Sequence, residues 1–312
     1  MLIPVKYWLN NFFFVEKFLK KVYDVCMEII INDVTLRDGL QNEPYIVSTE
    51  DKVKLINLII DSGIKHLEIT SFVNPKLIPQ LSDSISLSKH KMLKDAYFSA
   101  LVPNLRGFKN CVETKIKEAV LFVSVCEEHN LKNLGRNIDS SLKNLKNIFN
   151  EAGNYKINLR AAISMVFGTP FLNDLPDDKK LFKVIDFFIE NRVTDITLSD
   201  TWGNADSKLF EKQLKKILKK YDFKNFSLHL HNIGSNGFIN AETALDFGIK
   251  KFDTSFGGLG GCPFSPEKGG NLNIRDFISL VDKKGYLLKI NREKLLNVES
   301  FLMKLKMVNR NS

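Results

Sequence analysis

Two imidazoles set two residues apart, His229 and His231, are the first chemical signal in this chain of 312 residues, which holds only 5 histidines. On a β-strand that spacing turns both rings to one face, where their nitrogens suit a divalent cation. A hydrogen-bonded core pair would use the same spacing, so the metal reading needs a carboxylate, and Asp38 in Thr35-Leu36-Arg37-Asp38-Gly39 supplies one. Neighbours on a continuing strand face opposite ways, so Arg37 and Asp38 can share a site only if a turn begins there. Asn271, after Gly269-Gly270, would add an amide oxygen, although a single Asn in such a place is ordinarily a turn residue. Such a set leaves positions open for a chelating substrate and suits Mg²⁺ or Mn²⁺, with Zn²⁺ and Co²⁺ also admitted by the nitrogens. The run Gly257-Gly258-Leu259-Gly260-Gly261-Cys262-Pro263 matches neither phosphate-cradling motif. Its glycines permit close backbone approach and movement over a site. Cys262 within it is a candidate acid or nucleophile, because a polar loop is a poor place for a cysteine that merely packs.

The elements that must position these residues follow a βα rhythm from Glu28 onward, β-branched runs alternating with Lys/Leu/Ile stretches of helical period. The expected strands are Ile29–Val34, Lys65–Thr70, Ala96–Val102, Ala119–Val123, Ile157–Ile163, Asp195–Leu198, Phe226–Leu230 and Lys251–Ser255. Expected helices include Thr49–Ser62 with Thr49 as N-cap, Asp177–Asn191, Ser207–Tyr221 and Asn236–Phe247. This pattern predicts an α/β fold, a TIM (β/α)8 barrel with the active site at the C-terminal ends of the strands. A doubly wound open sheet is the competitor, but it would want G-x-G-x-x-G where Thr35–Gly39 stands. Polar residues do collect at the expected strand ends. Arg37-Asp38 follows strand one, while Glu68 and Thr70-Ser71 lie on or after strand two. Arg160 and Ser164 belong to strand five, Ser199-Asp200-Thr201 to strand six and the histidines to strand seven. Charges in buried strands are expensive unless paired or ligating, so this clustering reads as a site rather than as packing.

Composition bounds the partners. Hydrophobic residues make up 44% of the chain, enough for a sizeable core, and no apolar run approaches the ~20 residues a membrane span needs. With 26% charged and 11% aromatic residues the chain is not disordered. The net charge is +9, but the lysines are scattered and only 8 basic residues are arginine, so no nucleic-acid footprint is expected. A basic surface would instead favour an anionic small molecule. Cys26, Cys111, Cys126 and Cys262 form no C-x-x-C pair and no disulfide framework, which points to a reducing cytoplasm. Residues 1–27 stand apart, with Phe12, Phe13, Phe14, Phe18 and Leu19 interleaved with Lys17, Lys20 and Lys21. They make a poor signal peptide and read either as an amphipathic membrane-surface helix or as the product of a start codon set too early, since Met27 immediately precedes the first strand. Residues 28–312 are expected to form a single barrel domain.

Longer stretches carry a resemblance. Asp33-Val34-Thr35-Leu36-Arg37-Asp38-Gly39-Leu40-Gln41-Asn42-Glu43 is similar to the signature of the hydroxymethylglutaryl-CoA lyase family, in the DRE-TIM metallolyase superfamily. Glu68-Ile69-Thr70-Ser71-Phe72-Val73-Asn74-Pro75-Lys76-Leu77-Ile78-Pro79-Gln80 resembles the lyase branch, as do Leu101-Val102-Pro103-Asn104 with Gly107, and Gly257–Asn271. The likeness runs from about Glu28 to Asp282. It implies retro-Claisen cleavage of a 3-hydroxy-3-methylglutaryl-CoA-like thioester to acetyl-CoA and acetoacetate or a related 3-oxo acid, with a divalent metal, Mg²⁺ or Mn²⁺, as cofactor. By the same resemblance Asp38, His229, His231 and Asn271 are metal ligands, and Arg37, Glu68, Asp200 and Cys262 catalytic residues. Arg160, Ser71, Gly260 and Gly261 are placed at the substrate. The partner implied is an acyl-CoA, with Lys76 and Lys268 as candidate phosphate contacts and room for a homodimer.

Three stretches depart from the family pattern, all at the expected mouth. They are Asn232-Ile233-Gly234-Ser235 after the second histidine, Met165-Val166-Phe167-Gly168-Thr169-Pro170 after strand five, and Trp202 after Asp200-Thr201. They bear on the acyl chain more than on the reaction. Claisen-condensing relatives such as isopropylmalate or citramalate synthases are expected to carry a long carboxyl-terminal extension, whereas only about 40 residues follow Asn271 here. Biotin-dependent carboxyltransferases would show a modified lysine where strand five offers Arg160. A barrel that binds CoA esters without cleaving them would be expected to have lost ligands, and none of the expected ligands is missing.

Overall fold

The computed structural model describes residues 28–169, 175–261 and 269–310. The segment 1–27, Cys262 and Lys268 lie outside the described residues. Eight strands follow one another: β1 (Ile30–Asp33), β2 (His66–Ser71), β3 (Tyr97–Leu101), β4 (Glu118–Ser124), β5 (Asn158–Ser164), β6 (Asp195–Asp200), β7 (Phe226–Asn232) and β8 (Lys251–Thr254). Each pairs in parallel with its neighbour in sequence, and β1 pairs with β8, which closes the sheet into a barrel. A doubly wound sheet needs a reversal of strand order and two free edges, and neither exists among the described residues. A short strand, β9 (Gly270–Asn271), adds antiparallel to the end of β7 and sets Asn271 opposite His231.

Helices fill the crossovers, among them α1 (Thr49–Asp61), α2 (Ser84–Lys89), α3 (Leu105–Val112), α4 (Glu127–Leu134), α5 (Ile138–Ala152), α6 (Asp178–Glu190), α7 (Ser207–Leu218), α8 (Asn236–Asp246), α9 (Ile274–Lys283) and α10 (Arg292–Arg310). Short polar side chains cap many of them; Asn104, Asn137, Asp177, Asp206 and Asn273 each accept an N–H from the first turn. The cap of α1 is Ser48 rather than Thr49, because Ser48 Oγ accepts from Asp51 N while Thr49 Oγ donates to Asp83. Buried Lys52 adds bonds of 2.6 Å to the Gln80 carbonyl and to Asp83, tying α1 to the loop after β2. Gln80 in turn donates to the Glu43 carbonyl, lacing together the loops that leave β1 and β2. No helix among the described residues is long and apolar enough to cross a membrane.

Alternation along the strands separates two environments. Leu67, Ile69, Leu228 and Leu230 are buried in the apolar core, while Glu68, His229 and His231 lie between them on the other face. That second face is the barrel interior, since Arg160 of β5 reaches both Asp253 of β8 and Glu68 of β2, strands that do not adjoin β5. Branched aliphatic layers usually fill such a barrel. Here the level beneath the mouth is ionic, and it is tolerable because every charge in it is paired.

Candidate metal and acid–base site

The first strand does not simply continue past Val34. Thr35–Gly39 winds into a π-helical turn, which swings Arg37 and Asp38 to the same side. Thr35 fixes that turn: its Oγ donates to Asp33 Oδ2 at 2.8 Å and accepts from Phe256 N at 2.9 Å, linking the exits of β1 and β8. Complete burial pushes the Asp33 carboxyl up to about 7, even though Thr35 bonds to it. Arg37 donates through Nε to Glu68 Oε1 and through Nη1 to Asp38 Oδ1. Asp38 also accepts from Gln41 at 3.0 Å and from Asn271 Nδ2 at 2.7 Å. Burial acts to raise the Asp38 carboxyl, but Arg37, His229, His231 and Asn271 together hold it below the ordinary range.

The histidine pair is arranged for something to sit against it. His229 Nδ1 faces the Asp253 carboxylate at 3.1 Å, and His231 Nδ1 faces the Thr201 carbonyl at 2.9 Å. Both partners can only accept, so each Nδ1 carries a proton and each neutral ring turns an Nε2 lone pair inward. Those two Nε2 atoms are 3.1 Å apart. Facing lone pairs need a proton or a cation between them. Burial drives His231 down to about 4, whereas at His229 it is outweighed by Asp253 and Asp38, so that ring is raised. Ligand atoms of Asp38, His229 and His231 all lie within 4.8 Å of one another. Asn271 donates to Asp38 and to the Leu259 carbonyl, leaving its buried Oδ1 without a partner. Two imidazole nitrogens, a carboxylate and an orphaned amide oxygen fit a divalent cation.

Close backbone approach completes the cradle. A Cβ on Gly260 would stand 2.2 Å from Asn271 Nδ2 and 2.5 Å from Asp38 Oδ2, and its φ of +109° is strained for any other residue. Gly261, at φ +128°, is anchored by Asn42 Nδ2 on its carbonyl at 2.7 Å. Asp200 ends β6 in register with Leu230, near enough to His229 for the charge of that ring to act on it. Its Oδ1 accepts from Gly203 N at 2.9 Å, and its Oδ2 is buried without a partner. Burial raises this carboxyl to about 6 against the lowering effect of the Gly203 and Ala205 amides.

The other expected site residues are placed differently. Ser71 is buried at the end of β2 and donates to the Leu101 carbonyl. Arg160, expected at the substrate, is 4% exposed and surrounded by Glu68, Asp253 and Glu118 at 2.5, 3.1 and 3.2 Å. It lies under the acids, with little surface left for a ligand. Cys262 lies outside the described residues. Sequence reading passed over Asp253, Glu118 and Gln41. An acid in the middle of a buried strand was the available signal for the first. Trp202 packs its indole across Gly168, joining two of the stretches that depart from the family pattern.

Comparisons with known proteins bear on this arrangement. The HMGL-like family model matches residues 28–302. The chain is 37% identical over 276 residues to a hydroxymethylglutaryl-CoA lyase of Bacillus subtilis, covering 88% of this chain and 92% of that one. It is 31% identical over 273 residues to the human mitochondrial hydroxymethylglutaryl-CoA lyase, covering 87% and 84%. A solved B. subtilis HMG-CoA lyase matches with a TM-score of 0.83 at 36% identity, over 89% of this chain and 94% of that one. An HMG-CoA lyase from Acinetobacter baumannii, solved with coenzyme A and 3-methylmalate, matches with a TM-score of 0.83 at 30% identity, over 89% and 91%.

Proposed function

This chain belongs to the HMGL-like family, and from that premise we propose that it is a carbon–carbon lyase cleaving 3-hydroxy-3-methylglutaryl-CoA to acetyl-CoA and acetoacetate. The observation that carries the reading is the convergence of Asp38, His229, His231 and Asn271 beside Arg37. Those four residues would hold Mg²⁺ or Mn²⁺, which supplies Lewis acidity toward the C3 hydroxyl of the substrate. An acyl-CoA as substrate class is supported by the coenzyme A bound in the A. baumannii relative.

The residues divide the work. Asp200, with one carboxylate oxygen unpartnered, takes the C3 hydroxyl proton. The C3–O electrons form the carbonyl of acetoacetate, the C2–C3 bond breaks, and its pair becomes the thioester enolate. Arg37 donates to the enolate oxygen from the part of its fork that Glu68 and Asp38 leave free. Glu68 orients Arg37, and Arg160 fixes Glu68 from below. Cys262 then protonates C2, giving acetyl-CoA; a reduced thiol is required, which suits a cytoplasmic setting. Gly260 and Gly261 bring the glycine loop against the ligands.

The direct test is acetyl-CoA release by the purified, Mn²⁺-loaded protein across a panel of 3-hydroxy-3-substituted glutaryl-CoAs. Cleavage of the 3-methyl compound is the expected result, and no release from any member overturns the reading. Widening Trp202 to a smaller side chain is the natural next step if a bulkier 3-alkyl group is preferred.

The raised Asp200 carboxyl gives a pH signature. A base must be ionised, so kcat/KM should rise with pH through a single acid limb near the value of about 6 set by burial, and level off above it. Asp200→Asn should abolish that limb along with most activity. An acid limb near the ordinary carboxylate range of ~4 would assign the base elsewhere.

A further inference from the structure

Asp253 has no part in the chemistry above, yet it is the most connected acid beneath the site. It sits in β8, 4% exposed, and neither carboxylate oxygen is idle. Oδ1 accepts from Asn32 Nδ2 at 2.8 Å and from Arg160 Nη1 at 3.1 Å, while Oδ2 faces His229 Nδ1 at 3.1 Å. We propose that Asp253 is a positioning residue that fixes the ring and tautomer of His229, and that Arg160 joins it to Glu68 so that the ligand histidine and Arg37 rest on one ionic frame.

The argument is geometric. An ionised carboxylate has no proton to donate, so a ring nitrogen bonded to it must be the N–H, and the other nitrogen is left as the ligand. His231 reaches the same tautomer through a main-chain carbonyl, that of Thr201, which no side-chain substitution removes. His229 depends on a side chain alone. That side chain is itself held from two other strands, by Asn32 of β1 and Arg160 of β5, so it has no freedom to swing. The same guanidinium bonds Glu68 Oε2 through Nη2 at 2.5 Å, and Glu68 Oε1 receives Arg37 Nε. A shift of either acid is therefore felt by the other through Arg160, although the two acids are on different strands of the barrel.

This inference takes the ligand and Arg37 assignments from the proposed function, but its tests use no thioester. In Asp253→Asn the amide can donate to His229 Nδ1, which moves the ring proton to Nε2, where it bonds His231 Nε2 across the 3.1 Å gap. The pair is then satisfied without a cation. Calorimetric titration with Mn²⁺ should show affinity weakened about 10–100-fold, the usual effect of losing a partner behind a ligand. Nitrogen-15 NMR of the metal-free variant should place the His229 proton on Nε2 while His231 keeps its own on Nδ1. Unchanged Mn²⁺ affinity, with the proton still on Nδ1, overturns the proposal.

Asp253→Glu keeps the charge that Arg160 requires and decides the matter if the amide variant does not fold. It should weaken Mn²⁺ binding because the longer arm displaces the ring, and full wild-type affinity in a folded Asp253→Glu protein also overturns the proposal. The frame has its own readout. Arg160→Lys touches no ligand but cannot bond both acids as a fork does, so it should weaken Mn²⁺ binding too. Wild-type affinity there removes the frame. Absence of acetyl-CoA release would sink the proposed reaction and leave these results standing.

Discussion

Replacing Arg37 with glutamine is expected to lower kcat by about 10²–10³-fold or more, with KM moving far less. Its guanidinium is already committed to Glu68 through Nε and to Asp38 through Nη1, which aims the remaining N–H groups rigidly from the first-strand turn. A donor held in place before the reaction does its work where charge develops, on the enolate oxygen, and contributes little to the resting complex. Arg37→Lys should behave almost as badly, because an ammonium keeps the charge but loses the fork that Glu68 orients. Steady-state kinetics of the two variants test this. If kcat holds and KM rises instead, Arg37 binds the substrate in its ground state and the enolate role falls.

Complete removal of divalent metal should lower turnover by about 10²-fold or more, and added Mn²⁺ or Mg²⁺ should restore it. Two imidazoles among the proposed ligands favour Mn²⁺ over Mg²⁺ in affinity. Ca²⁺ should restore little, since it prefers six to eight oxygens at longer range. The histidine geometry sharpens the expectation. With both Nδ1 atoms committed to acceptors, the facing Nε2 atoms need a proton or a cation between them, and a bound divalent cation would take the place of that proton. Elemental analysis alongside the assay is the check, and full turnover by protein shown to be metal-free ends the metallolyase reading.

The barrel was legible in the sequence because β-branched runs alternate so regularly with stretches of helical period. All eight expected strands exist, each within a residue or two of its expected limits. Helix ends were less legible. Ser48 and Thr49 are both hydroxyl residues able to cap, and only the contact of Thr49 with Asp83, far along the chain, decides between them. Arg37 and Asp38 demanded a turn, but its π-helical form depends on Thr35 meeting Phe256, a tertiary contact that no local pattern announces. The expected ligands could be named from residue type and from the family likeness. Arg160 was harder, since its partners Glu68 and Asp253 are 92 and 93 residues away and meet it only once the sheet has closed. Asp253 was passed over for the same reason.

The short antiparallel addition to the seventh strand carries a further consequence. Asn271 stands opposite His231 through main-chain pairing, and Gly261 is anchored from the other side by Asn42. The place of Asn271 is thus inherited from backbone register rather than from side-chain packing. Substitution of neighbouring side chains can therefore reshape the mouth while that amide stays opposite the imidazole.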